Sequence, residues 1–122
     1  MTKIMVVEDN RNNMRLFKQI LFEINEEFSI TEAVSGTEAI KKATEHIFDI
    51  VFMDISLPDI DGIETCKALK KMPTFKNTTF IAATAHALKT DKEKLMLDFE
   101  YYLEKPIDED KMIDLLHEIL NE

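Results

Sequence analysis

Asp49-Ile50-Val51-Phe52-Met53-Asp54 is the stretch whose reading decides the fold. Its apolar core has no polar alternation, so a strand made from it must be covered on both faces. That is the pattern of an inner strand in a parallel sheet with helices above and below. The run ends on a carboxylate, Asp54. It is followed by Ile55-Ser56-Leu57-Pro58-Asp59-Ile60-Asp61-Gly62, a loop marked by one Pro and one Gly.

Working outward, the same alternation of short apolar runs and helical periodicity covers the chain. Ile4-Met5-Val6-Val7 is a second apolar run, followed at once by Glu8, Asp9 and Asn10. Met14, Phe17, Ile20, Leu21 and Ile24 then recur at three- and four-residue spacing, which predicts an amphipathic helix. Phe28 to Val34 is β-like. Ser35-Gly36-Thr37-Glu38 has the form of a capping box and opens a helix through Ala39, Ile40 and Ala43. Beyond the central stretch, Ile63, Cys66, Leu69 and Met72 give a third helix that Pro73 stops. Phe80 to Ala83 is strand-like and ends at Thr84. Leu88, Leu95, Met96 and Phe99 mark a fourth, polar helix. Tyr101 to Glu104 is a fifth strand ending at Lys105-Pro106. Asp108 caps a last helix whose stripe is Met112, Ile113, Leu115, Leu116, Ile119 and Leu120. Five β–α pairs in succession predict an α/β fold with a parallel sheet and helices on both faces. Right-handed crossovers onto two faces require a reversal of strand order, and ligands bind beyond the C-terminal strand ends at that reversal.

Composition bounds the function. A chain of 122 residues, 45% hydrophobic and 32% charged, is expected to form one domain over residues 1–122 with a real core. Two Gly and three Pro are too few for a loop-rich all-β fold. One Cys permits no internal disulfide and fits a reducing cytoplasm. The apolar runs fall far short of the ~20 residues that span a bilayer, and the N-terminal residues do not read as a signal peptide. Fifteen basic against 24 acidic residues give a net charge of −9, which argues against direct binding of nucleic acid or anionic lipid.

The residues just past the predicted strands are Glu8 and Asp9, Asp54, Thr84, and Lys105. Three carboxylates brought together cannot all stay ionised cheaply, since a like pair at ~4 Å costs about 4 kcal/mol at an effective dielectric of 20. A hard divalent cation such as Mg²⁺, which takes oxygen ligands, removes that repulsion. Lys105 adds positive charge, and Thr84 can donate a hydrogen bond to a phosphate oxygen. Other chemistries lack their residues. Neither glycine begins a P-loop, no H-E-x-x-H, CxxC or G-x-S-x-G is present, and His46, His86 and His117 are too scattered for zinc. What remains is Asp54 as a carboxylate nucleophile that accepts a phosphoryl group as an acyl phosphate.

The strings V-V-E-D-N at 6–10, F-M-D-I-S-L-P-D-I-D-G at 52–62, A-A-T-A at 82–85 and Y-L-E-K-P at 102–106 resemble the receiver domain of bacterial two-component response regulators. The stretch V-E-D-N-R-N-N-M-R-L-F at 7–17 is similar to single-domain cell-division regulators of the DivK type. The resemblance implies a flavodoxin-like doubly wound fold, five parallel strands in the order 2-1-3-4-5. It implies that Asp54 is the phospho-acceptor and that Asp9, Asp54 and the backbone carbonyl of Ser56 bind Mg²⁺, with Glu8 acting through a metal-bound water. It further implies that Lys105 and Thr84 contact phosphate oxygens, that Tyr102 is a switch aromatic, and that the Lys105–Pro106 peptide is cis. Two features depart from the family. Asp98-Phe99-Glu100 stands where a small residue or Gly is usual, so that loop is expected to differ in shape. Tyr101 and Tyr102 are adjacent, so spacing alone selects the second.

The implied role is a cytoplasmic phosphorelay switch rather than a turnover enzyme. Its phosphoryl group comes from a histidine kinase or phosphotransfer protein. Its output is a downstream protein effector, or a second copy, meeting the fourth helix, fifth strand and fifth helix. Ser56 and His86, two residues beyond Asp54 and Thr84, are expected to tune acyl-phosphate lifetime. Three other readings are a phosphorylation-independent interaction module, a receiver cut from a larger hybrid kinase or regulator, and a phosphohydrolase. Such hydrolases place a second Asp two residues after the nucleophile, where this chain has Ser56.

Overall fold

The computed structural model describes residues 2–85 and 92–120, apart from the side chains of Lys92 and Lys94. Five strands alternate with helices: β1 (Lys3–Val7), α1 (Arg11–Ile24), β2 (Ser29–Ala33), α2 (Gly36–Ala43), β3 (Ile50–Asp54), α3 (Gly62–Lys70), β4 (Thr79–Thr84), α4 (Lys92–Leu95), β5 (Tyr101–Glu104) and α5 (Glu109–Leu120). The strands form one parallel sheet in the order β2-β1-β3-β4-β5. This is the flavodoxin-like doubly wound arrangement that the family resemblance implies.

Every residue of β3 is buried, as expected for a strand lying between two others and under helices on both sides. Alternate residues feed two cores. Ile50 and Phe52 join Ile4, Val6, Phe17, Leu21, Met112 and Leu116 under α1 and α5. Val51 and Met53 join Met5, Val7, Cys66, Leu69, Phe80 and Leu95 under α2, α3 and α4. Burial pushes the Cys66 thiol up to about 12, so it stays neutral and acts as a small apolar residue. Among the described residues no helix is long and apolar enough to cross a membrane.

Short polar side chains start the helices, at Ser35 and Asp108 as the sequence predicts and at Asn10 and Asp61 besides. Asn10 accepts from Asn13 N at 3.0 Å, Ser35 from Glu38 N at 3.1 Å, Asp61 from Glu64 N at 2.8 Å and Asp108 from Lys111 N at 3.0 Å. The Glu38 carboxylate of the expected capping box instead pairs with Lys42 at 3.0 Å, one turn on.

Three expectations need correction. The described part of the fourth helix, Lys92–Leu95, ends before Met96, which is exposed; Phe99 lies beyond it and is buried, and Leu88 lies outside the described residues. A buried Phe at the foot of β5 gives apolar spacing without a helix. Strand β2 ends at Ala33, leaving Val34 exposed. Met72 lies past α3, and Pro73 opens a 3₁₀ turn, Pro73–Phe75, where its missing N–H costs nothing.

Candidate functional site

Strand β1 lies between β2 and β3, so the winding reverses at the β1/β3 boundary. Its register, Val7 opposite Met53, sets Glu8 and Asp9 beside Asp54 at the carboxyl rim. The start of α1, capped by Asn10, turns the chain away immediately after them.

Glu8 and Asp54 are buried, at 1% and 4% exposure, and Asp9 is exposed. One carboxylate oxygen from each of the three lies within 4.8 Å of the other two. Lys105, just past β5, reaches back across β4 with its ammonium 2.7 Å from Glu8 Oε1 and 3.2 Å from Asp54 Oδ2. Its backbone N–H donates to Thr84 O at 2.8 Å, and the following peptide, Lys105–Pro106, is cis as expected. The other oxygens face backbone amides: Ser56 N donates to Asp54 Oδ1 at 3.0 Å and Asn10 N to Glu8 Oε2 at 3.1 Å.

The electrostatics follow from burial. Desolvation and the adjoining Glu8 carboxylate push Asp54 up to about 7, against the opposing pull of Lys105 and the Ser56 amide. Burial works against the Lys105 ammonium, but hydrogen bonding to Glu8 and the charges of Asp54 and Glu8 outweigh it and raise its pKa. Glu8 Oε1, itself buried, meets the Lys105 ammonium at 2.7 Å as an ion pair. Fully ionised, the cluster holds three carboxylates against one ammonium. A hard divalent cation with oxygen ligands fits both the surplus charge and the donor set.

The remaining predicted residues take up positions around this rim. Thr84 ends β4, buried. Strand alternation puts it on the same face as Ala82, whose register partner is Tyr102. Tyr102 is half-buried against the core under α2, α3 and α4, whereas Tyr101 packs against the core under α1 and α5. The two adjacent tyrosines are thus separated by face, and the one that shares its face with Thr84 is the one the spacing selects. His86 lies outside the described residues. In the divergent 98–100 loop, the Glu100 carboxylate accepts from Phe80 N at 2.6 Å, so this loop is tied to the foot of β4 by a side chain.

Two loop residues matter more than the sequence suggests. A Cβ on Gly62 would sit 2.1 Å from the Asp54 carbonyl oxygen, so only glycine lets α3 start this close against β3. Asp59 binds the start of α2, a contact between residues over twenty apart that has no periodicity to betray it.

Comparison with known proteins agrees with this geometry. The family described as "Response regulator receiver domain" matches residues 4–117. The polar-differentiation response regulator DivK of Brucella ovis is 38% identical over 124 residues, covering 100% of this chain and 99% of that protein. The signal transduction histidine-protein kinase BarA of Escherichia coli K12 is 37% identical over 114 residues, 93% of this chain; the chain spans only 12% of the length of that kinase. Among solved structures, the receiver domain of sensor histidine kinase PA1611 from Pseudomonas aeruginosa, with a magnesium ion coordinated in its active-site cleft, superposes with a TM-score of 0.88 at 25% identity, covering 99% of this chain and 98% of that one. A CheY-like receiver domain from Methylobacillus flagellatus gives a TM-score of 0.88 at 30% identity over 98% of both chains.

Proposed function

The chain belongs to the response regulator receiver family of two-component signalling, and from that premise we propose that it is a Mg²⁺-dependent phospho-acceptor switch with Asp54 as the acceptor. The observation that carries this reading is the Lys105 ammonium held between Glu8 and Asp54, beside carboxylate oxygens gathered within 4.8 Å.

Asp9, Asp54 and the Ser56 carbonyl are the residues to hold the ion, with Glu8 behind them. When bound, Mg²⁺ supplies the positive charge that keeps Asp54 ionised and neutralises phosphoryl oxygens. The chain's own groups do the rest. An Asp54 carboxylate oxygen forms the new O–P bond as the P–N bond to a donor phosphohistidine breaks; the departing imidazole keeps the bonding electrons and takes up a proton. Lys105 exchanges a carboxylate partner for a phosphoryl oxygen, and Thr84 donates to another. Tyr102, on the same face as Thr84, follows that movement and alters the surface of α4, β5 and α5. Moving the switch from 1:99 to 99:1 takes about 5.5 kcal/mol of differential stabilisation, which these new contacts supply. Ser56, already touching Asp54 through its amide, sets the lifetime of the acyl phosphate together with His86.

The donor is a sensor histidine kinase or phosphotransfer protein, and the output is binding of a downstream protein or a second copy at the α4–β5–α5 surface. The chain acts as a cytoplasmic switch of one domain over residues 1–122, without small-molecule turnover. The full-length match to DivK favours a stand-alone regulator; the match to BarA favours the same domain serving within a kinase. Intact mass after incubation with acetyl phosphate and Mg²⁺ tests the reading. The native protein gains one phosphoryl mass and Asp54→Asn gains none; labelling of the variant, or none of the native chain, refutes it.

A further inference from the structure

Asp59 lies in the loop from Ile55 to Asp61 that joins the acceptor strand to α3. It is exposed, yet its carboxylate is fully engaged at the start of α2. It accepts from Gly36 N at 3.0 Å, from Thr37 N at 2.9 Å and, in a short contact, from the Thr37 hydroxyl. These bonds hold its carboxyl well below the usual range, led by the Thr37 hydroxyl. Helix α2 already has its own cap, since Ser35 takes the Glu38 amide. Asp59 adds to that cap and, in doing so, fastens a distant loop to the helix.

The loop is also where the acceptor carboxylate finds its neighbour. Its first part is tied down by Ile55 N to Ala83 O at 3.0 Å and by Ser56 N to Asp54 Oδ1 at 3.0 Å. Its far end is tied by Gly62 N to Ile55 O at 2.9 Å. Asp59 supplies a third anchorage in between. The contact there is close: a Cβ on Gly36 would lie 2.9 Å from the Ile60 carbonyl oxygen. The start of α2 and the loop are therefore in close contact as well as hydrogen-bonded.

We propose that Asp59, through Thr37 and the first amides of α2, is a positioning residue for the acceptor site. It holds the 55–61 loop so that Ser56 stays against Asp54 and the ion's ligands stand ready before the ion arrives. The inference rests on the reading of Asp54 and its neighbours as a Mg²⁺-dependent acceptor site. Groups that orient metal ligands without touching the metal matter to affinity, their loss costing 10- to 100-fold.

The test compares the native chain with Asp59→Ala, Thr37→Val and Thr37→Ser. Three readouts are taken well below the unfolding midpoint: Mg²⁺ affinity by calorimetry, the rate of acetyl phosphate labelling, and hydrogen exchange at the Ser56 amide without metal. Asp59→Ala is expected to weaken Mg²⁺ about tenfold and to speed Ser56 exchange. Thr37→Val shifts both in the same direction by less, and Thr37→Ser restores native values. A lowered unfolding midpoint with native Mg²⁺ affinity and native Ser56 exchange overturns the proposal, because Asp59 is then only a second helix cap. If Asp59→Ala does not fold, the Thr37 pair decides by the same criteria. Failure of the native chain to bind Mg²⁺ or take up phosphoryl strikes the acceptor reading instead, and is visible without any variant.

Discussion

Lys105–Glu8 at 2.7 Å and Lys18–Glu32 at 2.9 Å are ion pairs of almost the same length, set in opposite surroundings. The side chains of the first are 15% and 0% exposed; those of the second are 35% and 45% exposed. Water solvates both members of the α1–β2 pair in any arrangement, so their contact contributes about 0–1 kcal/mol. At the rim of β1 and β3 water is largely excluded, and one ammonium faces two carboxylates. Desolvation there is offset only in part, leaving a cluster that still gains from added positive charge. Geometry alone would rank the two pairs equal; burial and the unmatched carboxylate make one of them a receptive site.

The largest break in this comparison is Lys105→Met, which keeps the stem and removes the charge. Without metal at pH 8 it is expected to cost about 3 kcal/mol in urea unfolding, since two buried carboxylates lose their counter-charge. The cost shrinks at pH 5, where one carboxyl takes a proton; an equal cost at both pH values would contradict the electrostatic account.

The second effect concerns pH. A carboxyl raised from 3.8 to about 7 holds its proton more tightly folded than unfolded. Its contribution to stability is full below about pH 4 and is lost as pH rises toward 7. In chelator, native stability from this group therefore falls across that window, and Asp54→Asn removes that part of the slope. Mg²⁺ should restore the loss at pH 8, by about 2.7 kcal/mol at a hundred times its dissociation constant. Mg²⁺ affinity itself should rise with pH through the same window, because the ion competes with the proton on Asp54. Affinity independent of pH by calorimetry would exclude Asp54 as a ligand.

The smallest effect sharpens the contrast from the other side. Lys18→Ala should change stability by less than about 1 kcal/mol, and the change should fade in high salt.

Much of the fold is legible in the linear chain because burial on both faces leaves a compositional mark. Ile50 to Met53 and Ile4 to Val7 can hardly be anything but inner strands, and Met14, Phe17, Ile20 and Leu21 fill one side of α1 as their spacing predicts. The fourth helix is where the pattern misleads. Leu95 and Phe99 are both buried, but one is the last residue of α4 and the other anchors the approach to β5. Apolar spacing records burial rather than backbone geometry. The pocket residues are readable for a different reason. Glu8, Asp54, Thr84 and Lys105 each stand at or just past a strand end, where polar groups after an apolar run are conspicuous.

The amino-acid sequence by itself determined five strand–helix pairs and the chemistry carried at each strand end, since local periodicity and polarity are properties of neighbours along the chain. Only the tertiary structure decided that β1 lies beside β3, that Lys105 spans Glu8 and Asp54, that Tyr102 rather than Tyr101 shares a face with Thr84, and that Asp59 holds the start of α2. Those outcomes depend on how elements far apart in the chain are brought together to close two cores. Exposed polar contacts such as Asp59 with Thr37 carry no hydrophobic signature from which that proximity could be read.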